Sequence, residues 1–258
     1  MTAPVIRGTC GLNGGAWTVA PQSGDFLVFI GSIVDIGYGA AFATPSGWTA
    51  YPGLNTENTR VWTKTATGSE PAIGLQDFGY INDVDSNSFP IFGAAFAFSN
   101  GANTSIDYAA GTLSSDTSID GGLPTAPPPK NNTTLATADG LLISIGVRNA
   151  EGYYFSGYLL VSKSNISPPS GMTSVSAAAV ENVDRGTYAD YDVGNYIWKT
   201  FSARVAYQQL SSSTNPGSKT FPSINYLSDG LGGQSAASIV IKVATPSGPT
   251  AYGPSIRR

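Results

Sequence analysis

Gly24-Asp25-Phe26-Leu27-Val28-Phe29-Ile30-Gly31, followed after a gap by Pro45-Ser46-Gly47-Trp48-Thr49, decides how the chain reads, because the second half states the pattern again. There it runs Asp139-Gly140-Leu141-Leu142-Ile143-Ser144-Ile145-Gly146, then Pro169-Ser170-Gly171-Met172-Thr173. A short apolar run bounded by glycines reads as a buried strand. Pro-Ser-Gly reads as a tight turn, because proline pre-sets its own φ and glycine accepts positive φ. Two copies of one β-unit are therefore expected, over 17–122 and 135–245. Residues 123–134, with Pro127-Pro128-Pro129, favour polyproline II and read as the connector.

Other runs carry the same signal. Val61 to Lys64 is a short strand around Trp62. Ile91 to Phe98 alternates, with Phe92, Phe96 and Phe98 on one face and Gly93, Ala95 and Ala97 on the other. The nearly bare face lets another backbone layer come close. Tyr153 to Val161, Tyr196 to Leu210 and Ile239 to Val243 extend the pattern, with turns at Asn100-Gly101, Gly121-Gly122, Asn215-Pro216-Gly217 and Asp229-Gly230. Val175 to Val180 fits a helix as well as a strand. Many short strands between turns point to an all-β fold. The expected architecture is an antiparallel β-sandwich, jelly-roll-like, built from the two pseudo-repeats around one core. Residues 1–16 read as an extended N-terminal arm. Residues 246–258, with three prolines, read as a C-terminal tail that cannot join a central strand.

Composition narrows the function. Of 258 residues, 12% are charged and 41% apolar, and the formal net charge is −4. The charged share is about half that of an average globular chain. The thirteen Lys and Arg form no basic stripe, which argues against nucleic-acid wrapping. Residues 1–16 have neither the basic nor the apolar region of a signal peptide, and no apolar run approaches membrane-spanning length. Synthesis in a cytoplasm without membrane insertion is expected. Cys10 is the only cysteine, so no intrachain disulfide can form.

The absence of histidine removes Ser-His-Asp, Cys-His and histidine-zinc chemistry. Ser46 and Ser170 read as plain turn serines. A glycosidase needs only two carboxylates, so Glu70 and Glu151 are its candidates here. Asp77 with Asp83, Asp85 and Asn87, and Asp184 with Asp190 and Asp192, could supply oxygen to calcium, but the first lacks the glycine and distal glutamate of an EF-hand loop, and solvated loops explain both. No catalytic residue, cofactor or metal is assigned. Aromatics concentrate in the second half. The segment from Asn182 to Asn195 has no counterpart in the first half, which makes Tyr188 and Tyr191 the leading surface-contact candidates, with Tyr153 and Tyr154 beside them.

Gly24 to Val28, Pro45 to Thr49, Trp62 to Pro71 (Trp-x-Lys-x-Ala-Thr-x-x-Glu-Pro), Ala138 to Ile143 and Ala236 to Ile241 together resemble a broad family of tailed-bacteriophage virion proteins. The resemblance covers roughly residues 20–245. It implies a β-sandwich module in a capsid-decoration, head-fibre or tail position, with no catalytic residues in the pattern. The reading is then a decoration or cement protein located in the virion. It would bind major capsid protein subunits and assemble as a homo-oligomer, with a trimer as the guess. A tail module that binds a host glycan is the alternative.

Overall fold

The computed structural model describes residues 3–11, 15–33, 40–55, 58–82, 88–116, 125–126, 140–155, 158–159, 165–190, 195–211, 216–224 and 232–243. They form antiparallel sheets with two single-turn 3-10 helices, Leu75–Asp77 and Gly101–Asn103. In chain order the first strands are β1 (Ile6–Cys10), β2 (Phe26–Ser32), β3 (Ala40–Phe42), β4 (Thr49–Asn55), β5 (Thr59–Thr65), β6 (Gly79–Asn82), β7 (Ser88–Pro90), β8 (Phe92–Phe98) and β9 (Thr104–Asp116). Then follow β10 (Thr125–Ala126), β11 (Leu141–Phe155), β12 (Tyr158–Leu159), β13 (Asn165–Ile166), β14 (Thr173–Asp190), β15 (Asn195–Gln209), β16 (Lys219–Thr220), β17 (Ser223–Ile224) and β18 (Gly232–Val243). Val175 to Val180 lies inside β14, as a strand.

Two large sheets organise the chain. The first runs β1-β8-β2-β5-β4, and the second β9-β18-β11-β15-β14 with β12 appended to β11. Numbered by appearance within its own sheet, each order is first-fifth-second-fourth-third. The two quoted apolar runs, β2 and β11, are both central strands, which is why both are apolar on both faces.

The correspondence extends to individual residues. Phe26 of β2 stands where Leu141 of β11 does, opposite Thr65 and Gln209 respectively. Gly31 lies between Arg60 and Gly93, and Gly146 between Arg204 and Ala236. Ala66 N–H donates to Asp25 O at 2.8 Å, and Leu210 N–H to Gly140 O at 2.8 Å. Both Pro-Ser-Gly turns close identically: Trp48 N–H to Pro45 O and Met172 N–H to Pro169 O, each 3.0 Å, with Gly47 at φ 79° and Gly171 at φ 77°. Even a bulge recurs. The register of β1 on β8 skips Arg7, and that of β9 on β18 skips Asp107, each beside the matching pair Phe98 or Ile241.

A single core cluster draws Val28, Ile30, Val61, Phe92 and Phe96 from the first sheet and Ile143, Ile145, Val205, Ala237 and Ile239 from the second. Phe96 meets Tyr207 edge-on, centroids 6.4 Å apart. At one end of this core three buried hydroxyls converge. Ser32 Oγ lies 2.9 Å from Ser235 Oγ and 3.0 Å from Thr59 Oγ1, and Thr59 Oγ1 lies 3.0 Å from Ser235 Oγ. Buried hydroxyls cost free energy unless they find partners, and these find one another across the sheets.

The bare face expected on β8 is covered, by the chain itself. Gly31 and Gly93 leave room for the Phe29 ring, since a Cβ at Gly93 would sit 2.5 Å from Phe29 Cζ. Phe29 stacks on Phe78 at 4.0 Å, and Trp62 and Trp48 meet Phe78 edge-on at 5.2 and 5.1 Å. β3, β6, β7 and the Leu75–Asp77 turn form this outer layer.

Two boundaries differ from the sequence expectation. Ile6–Cys10, read as part of a free arm, is paired with β8, because Cys10 is buried and Arg7 reaches the buried Asp25. The chain crosses between sheets at 99–103, ahead of the Pro-rich stretch. There Gly101 passes so close to Gly24 O that a Cβ would lie 2.1 Å from it. β9, read with the first half, consequently belongs to the second sheet. Residues 246–258 and most of 123–134 lie outside the described residues.

Candidate functional site

A cavity of 390 Å³ opens on the outer face of the first sheet. The Pro45-Ser46-Gly47-Trp48 turn forms one wall, the Glu70 to Gly74 segment the other, and Ile73 and Phe78 the apolar floor. Lys64 and Asp77 stand at its rim. The turn places Trp48 there because Gly47, in the left-handed region, reverses the chain immediately before it. A Cβ at Gly47 would rest in ordinary contact with the Lys64 stem, 3.5 Å from Cε, so it is the left-handed backbone rather than space that reserves the position for glycine.

The sequence motif from Trp62 to Pro71 proves to be the scaffold of this cavity. Trp62 is fully buried and donates from Nε1 to Thr44 Oγ1 at 3.2 Å. Two residues on, Lys64 Nζ donates to Glu70 Oε2 at 2.6 Å. Glu70 Oε1 accepts from Thr67 N–H at 2.7 Å and Thr67 Oγ1 at 2.9 Å. Pro71 O accepts the Trp17 indole N–H at 3.1 Å. Glu70 is thus a latch closing a tight turn, with both carboxylate oxygens engaged. Burial pushes its carboxyl up, but the hydrogen bonds from Lys64 and Thr67, with the lysine charge, outweigh burial and hold it below its ordinary value.

That direction fixes a pH dependence. A depressed folded pKa contributes stability above the ordinary carboxylate range, near 4.3, and loses it as pH falls through the folded value. Glu70→Gln should cost about 1.5–3 kcal/mol at pH 7, the range for hydrogen bonds to a charged group. The difference between wild type and variant should shrink as pH falls below the ordinary carboxylate range. Denaturant melts at several pH values measure it, and a difference independent of pH would contradict the latch.

Not every group at the cavity is engaged. The Trp48 indole N–H, the Ser46 hydroxyl and the Asp77 carboxylate have no side-chain hydrogen-bond partner among the described residues. Lys64 Nζ lies over the Trp48 ring at 6.0 Å. With Lys64 and Glu70 neutralising one another, Asp77 leaves a single net negative charge.

The corresponding place on the second sheet is built differently. The Pro169-Ser170-Gly171 turn carries Met172, 8% exposed and packed with Leu142, Ala206, Leu210 and Val240. The register puts Gln208 where the first sheet has Lys64. Its side chain engages Lys219, whose ammonium is held below its ordinary value by burial.

The tyrosines fall elsewhere. Tyr153 of β11 and Tyr188 of β14 both stand opposite Ile197 of β15, so the three share one cross-strand row. Tyr154 pairs with Leu159 at the same end of the second sheet. Tyr191 lies outside the described residues. That end extends past the first sheet. β2 stops at Ser32, level with Ser235 and its pair Val147, whereas β11 continues from Arg148 to Phe155. At about 3.3 Å per residue this adds roughly 26 Å.

The two glycosidase candidates are not brought together: Glu70 lies on the outer face of the first sheet, and Glu151 is in β11, opposite Lys199. Ser46 and Ser170 sit in their turns as read. Cys10 is buried, donates from Sγ to Gly15 O at 3.1 Å, and has its thiol pKa raised by burial. Among the described residues no three Cys, Asp or Glu side chains gather as a metal site. Asp83, Asp85, Asn87 and Asp192 lie outside them. Comparison with known proteins returns no matching family model, curated protein or solved structure.

Proposed function

We propose that this chain is a structural protein of a tailed-bacteriophage particle, a capsid decoration protein that acts through contact area. In this reading the two sheets are a β-sandwich made by tandem duplication of one five-strand unit. Each unit keeps to its own sheet, so the jelly-roll expectation is carried no further. The observation that carries the reading is the unequal length of two otherwise equivalent sheets. One copy ends where the core closes, and the other continues for about 26 Å. A fold that needs only the short version has no internal use for the extension, so an external surface is its natural role. The extension also holds Tyr153, Tyr154 and Tyr188, and large aromatics anchor interfaces at low entropic cost. Contact with capsid subunits is then assigned to this extension, while the N-terminal segment is committed to β1.

The reading includes assembly of several copies in the virion, with three as the working number. Edges favour β9 as their meeting line. The outer edge of β1 is met by Thr18, whose N–H donates to Thr9 O at 2.8 Å. β4 contains Pro52, and β14 is broken by three register shifts. Such features deter edge-to-edge pairing. From Tyr108 to Ser115, β9 holds unbroken register on β18, carries no charge, and has no second strand partner among the described residues.

The test is binding to undecorated capsids of the source particle, followed by electron microscopy. The full chain should add density to the shell. A variant with β11, β14 and β15 shortened to the length of their first-sheet counterparts should stay folded and fail to bind. Density on the tail alone, or undiminished binding by the shortened variant, would contradict the proposal.

A further inference from the structure

We propose that the cavity beside Trp48 is a binding site for a neutral saccharide. The inference is independent of the contact-area reading and concerns a different face of the molecule.

The chain supplies its own control. The same turn, with the same closing hydrogen bond and the same glycine conformation, occurs at Pro45–Trp48 and Pro169–Met172. The turn itself therefore closes without Trp48 or Lys64, since Met172 and Gln208 occupy those places on the second sheet. There the methionine fills its own space. On the first sheet the corresponding residue is a tryptophan that lines an open cavity.

The lining selects a chemistry. Ligand sites of this size combine apolar walls with a few convergent polar groups. Trp48 with the Pro45 and Pro71 rings offers flat apolar surface for the C–H face of a pyranose. Around it stand an acceptor, Asp77, and three donors, the Trp48 indole N–H, the Ser46 hydroxyl and Lys64 Nζ. Hydroxyl groups both donate and accept, so a sugar matches this mixture of donors and acceptor. The net negative charge of the three ionised side chains disfavours phosphate, sulfate and sialic acid. The Lys64–Glu70 pair pins the Lys64 ammonium at the rim, 2.6 Å from its carboxylate partner.

The full chain should be applied to a printed array of neutral oligosaccharides of glucose, galactose, mannose and N-acetylglucosamine, with sialylated and sulfated glycans alongside. The strongest ligand is then titrated by tryptophan fluorescence and calorimetry. Binding should be confined to neutral glycans. Trp48→Met should weaken it at least tenfold in a protein that stays folded, because methionine is what the second sheet uses at this place, although loss of the edge contact with Phe78 lowers the thermal midpoint. Asp77→Asn, at an exposed position, should weaken it severalfold with no change in stability. Absence of any neutral ligand, binding confined to anionic glycans, or undiminished binding by both variants would overturn the assignment.

Discussion

Arg7→Ala should destabilise the protein by about 3 kcal/mol, the lower end of the range for breaking a buried ion pair. Asp25 immediately precedes β2, with its side chain 3% exposed. It accepts from Arg7 Nε at 2.6 Å, from Arg7 Nη2 at 3.3 Å and from Gln22 N–H at 2.8 Å. Removing the guanidinium leaves a carboxylate in the protein interior with one remaining donor. Arg7 itself is 23% exposed, so water can reach the gap, which keeps the cost from the top of the range. The double variant Arg7→Met, Asp25→Leu should recover part of the loss, because two apolar groups leave no orphan charge. Urea melts of the three proteins decide it. An Arg7→Ala protein as stable as the parent would mean that the Arg7–Asp25 pair contributes nothing to holding β1 against the first sheet.

Trp62→Ala should cost about 3–5 kcal/mol, the range for deleting a large core aromatic. Trp62 is fully buried in β5, and its ring lies 5.5 Å from that of Phe29, 5.8 Å from Phe42 and 5.2 Å from Phe78. The loss should spread to the cavity, since Phe78 is its floor and leans on both Trp62 and Trp48. Trp62→Phe, which keeps ring contact and loses the bond to Thr44, should cost less than half as much. Denaturant midpoints read both effects. A Trp62→Ala protein destabilised by less than 1 kcal/mol would contradict the description of the outer layer as packed.

The central strands were legible because burial on both faces demands continuous apolar runs, and β2 and β11 state theirs without interruption. The Pro-Ser-Gly turns were legible because turn chemistry is local. β1 was not, since Ile-Arg-Gly-Thr-Cys is short, charged and glycine-containing, and its pairing with β8 spans some ninety residues of chain. β9 was assigned to the first half because it precedes the Pro-rich stretch. Its small polar residues carry no mark of the sheet they join, and only the close pass of Gly101 over Gly24 shows where the chain crosses. The cavity was half visible. Its motif from Trp62 to Pro71 could be quoted, but the closing of Lys64 on Glu70 around a turn is a three-dimensional fact. The signal available in the sequence was the contrast between Trp48 and Met172 at matched positions of two copies.

Native-state hydrogen exchange followed by mass spectrometry tests whether the two sheets close one core. Peptides covering Leu27 to Ile30 and Leu142 to Ile145 should exchange through the same global opening, with equal free energies and equal denaturant dependence. Two distinct opening energies, with one sheet losing protection while the other keeps it, would show two independent bodies and contradict the account.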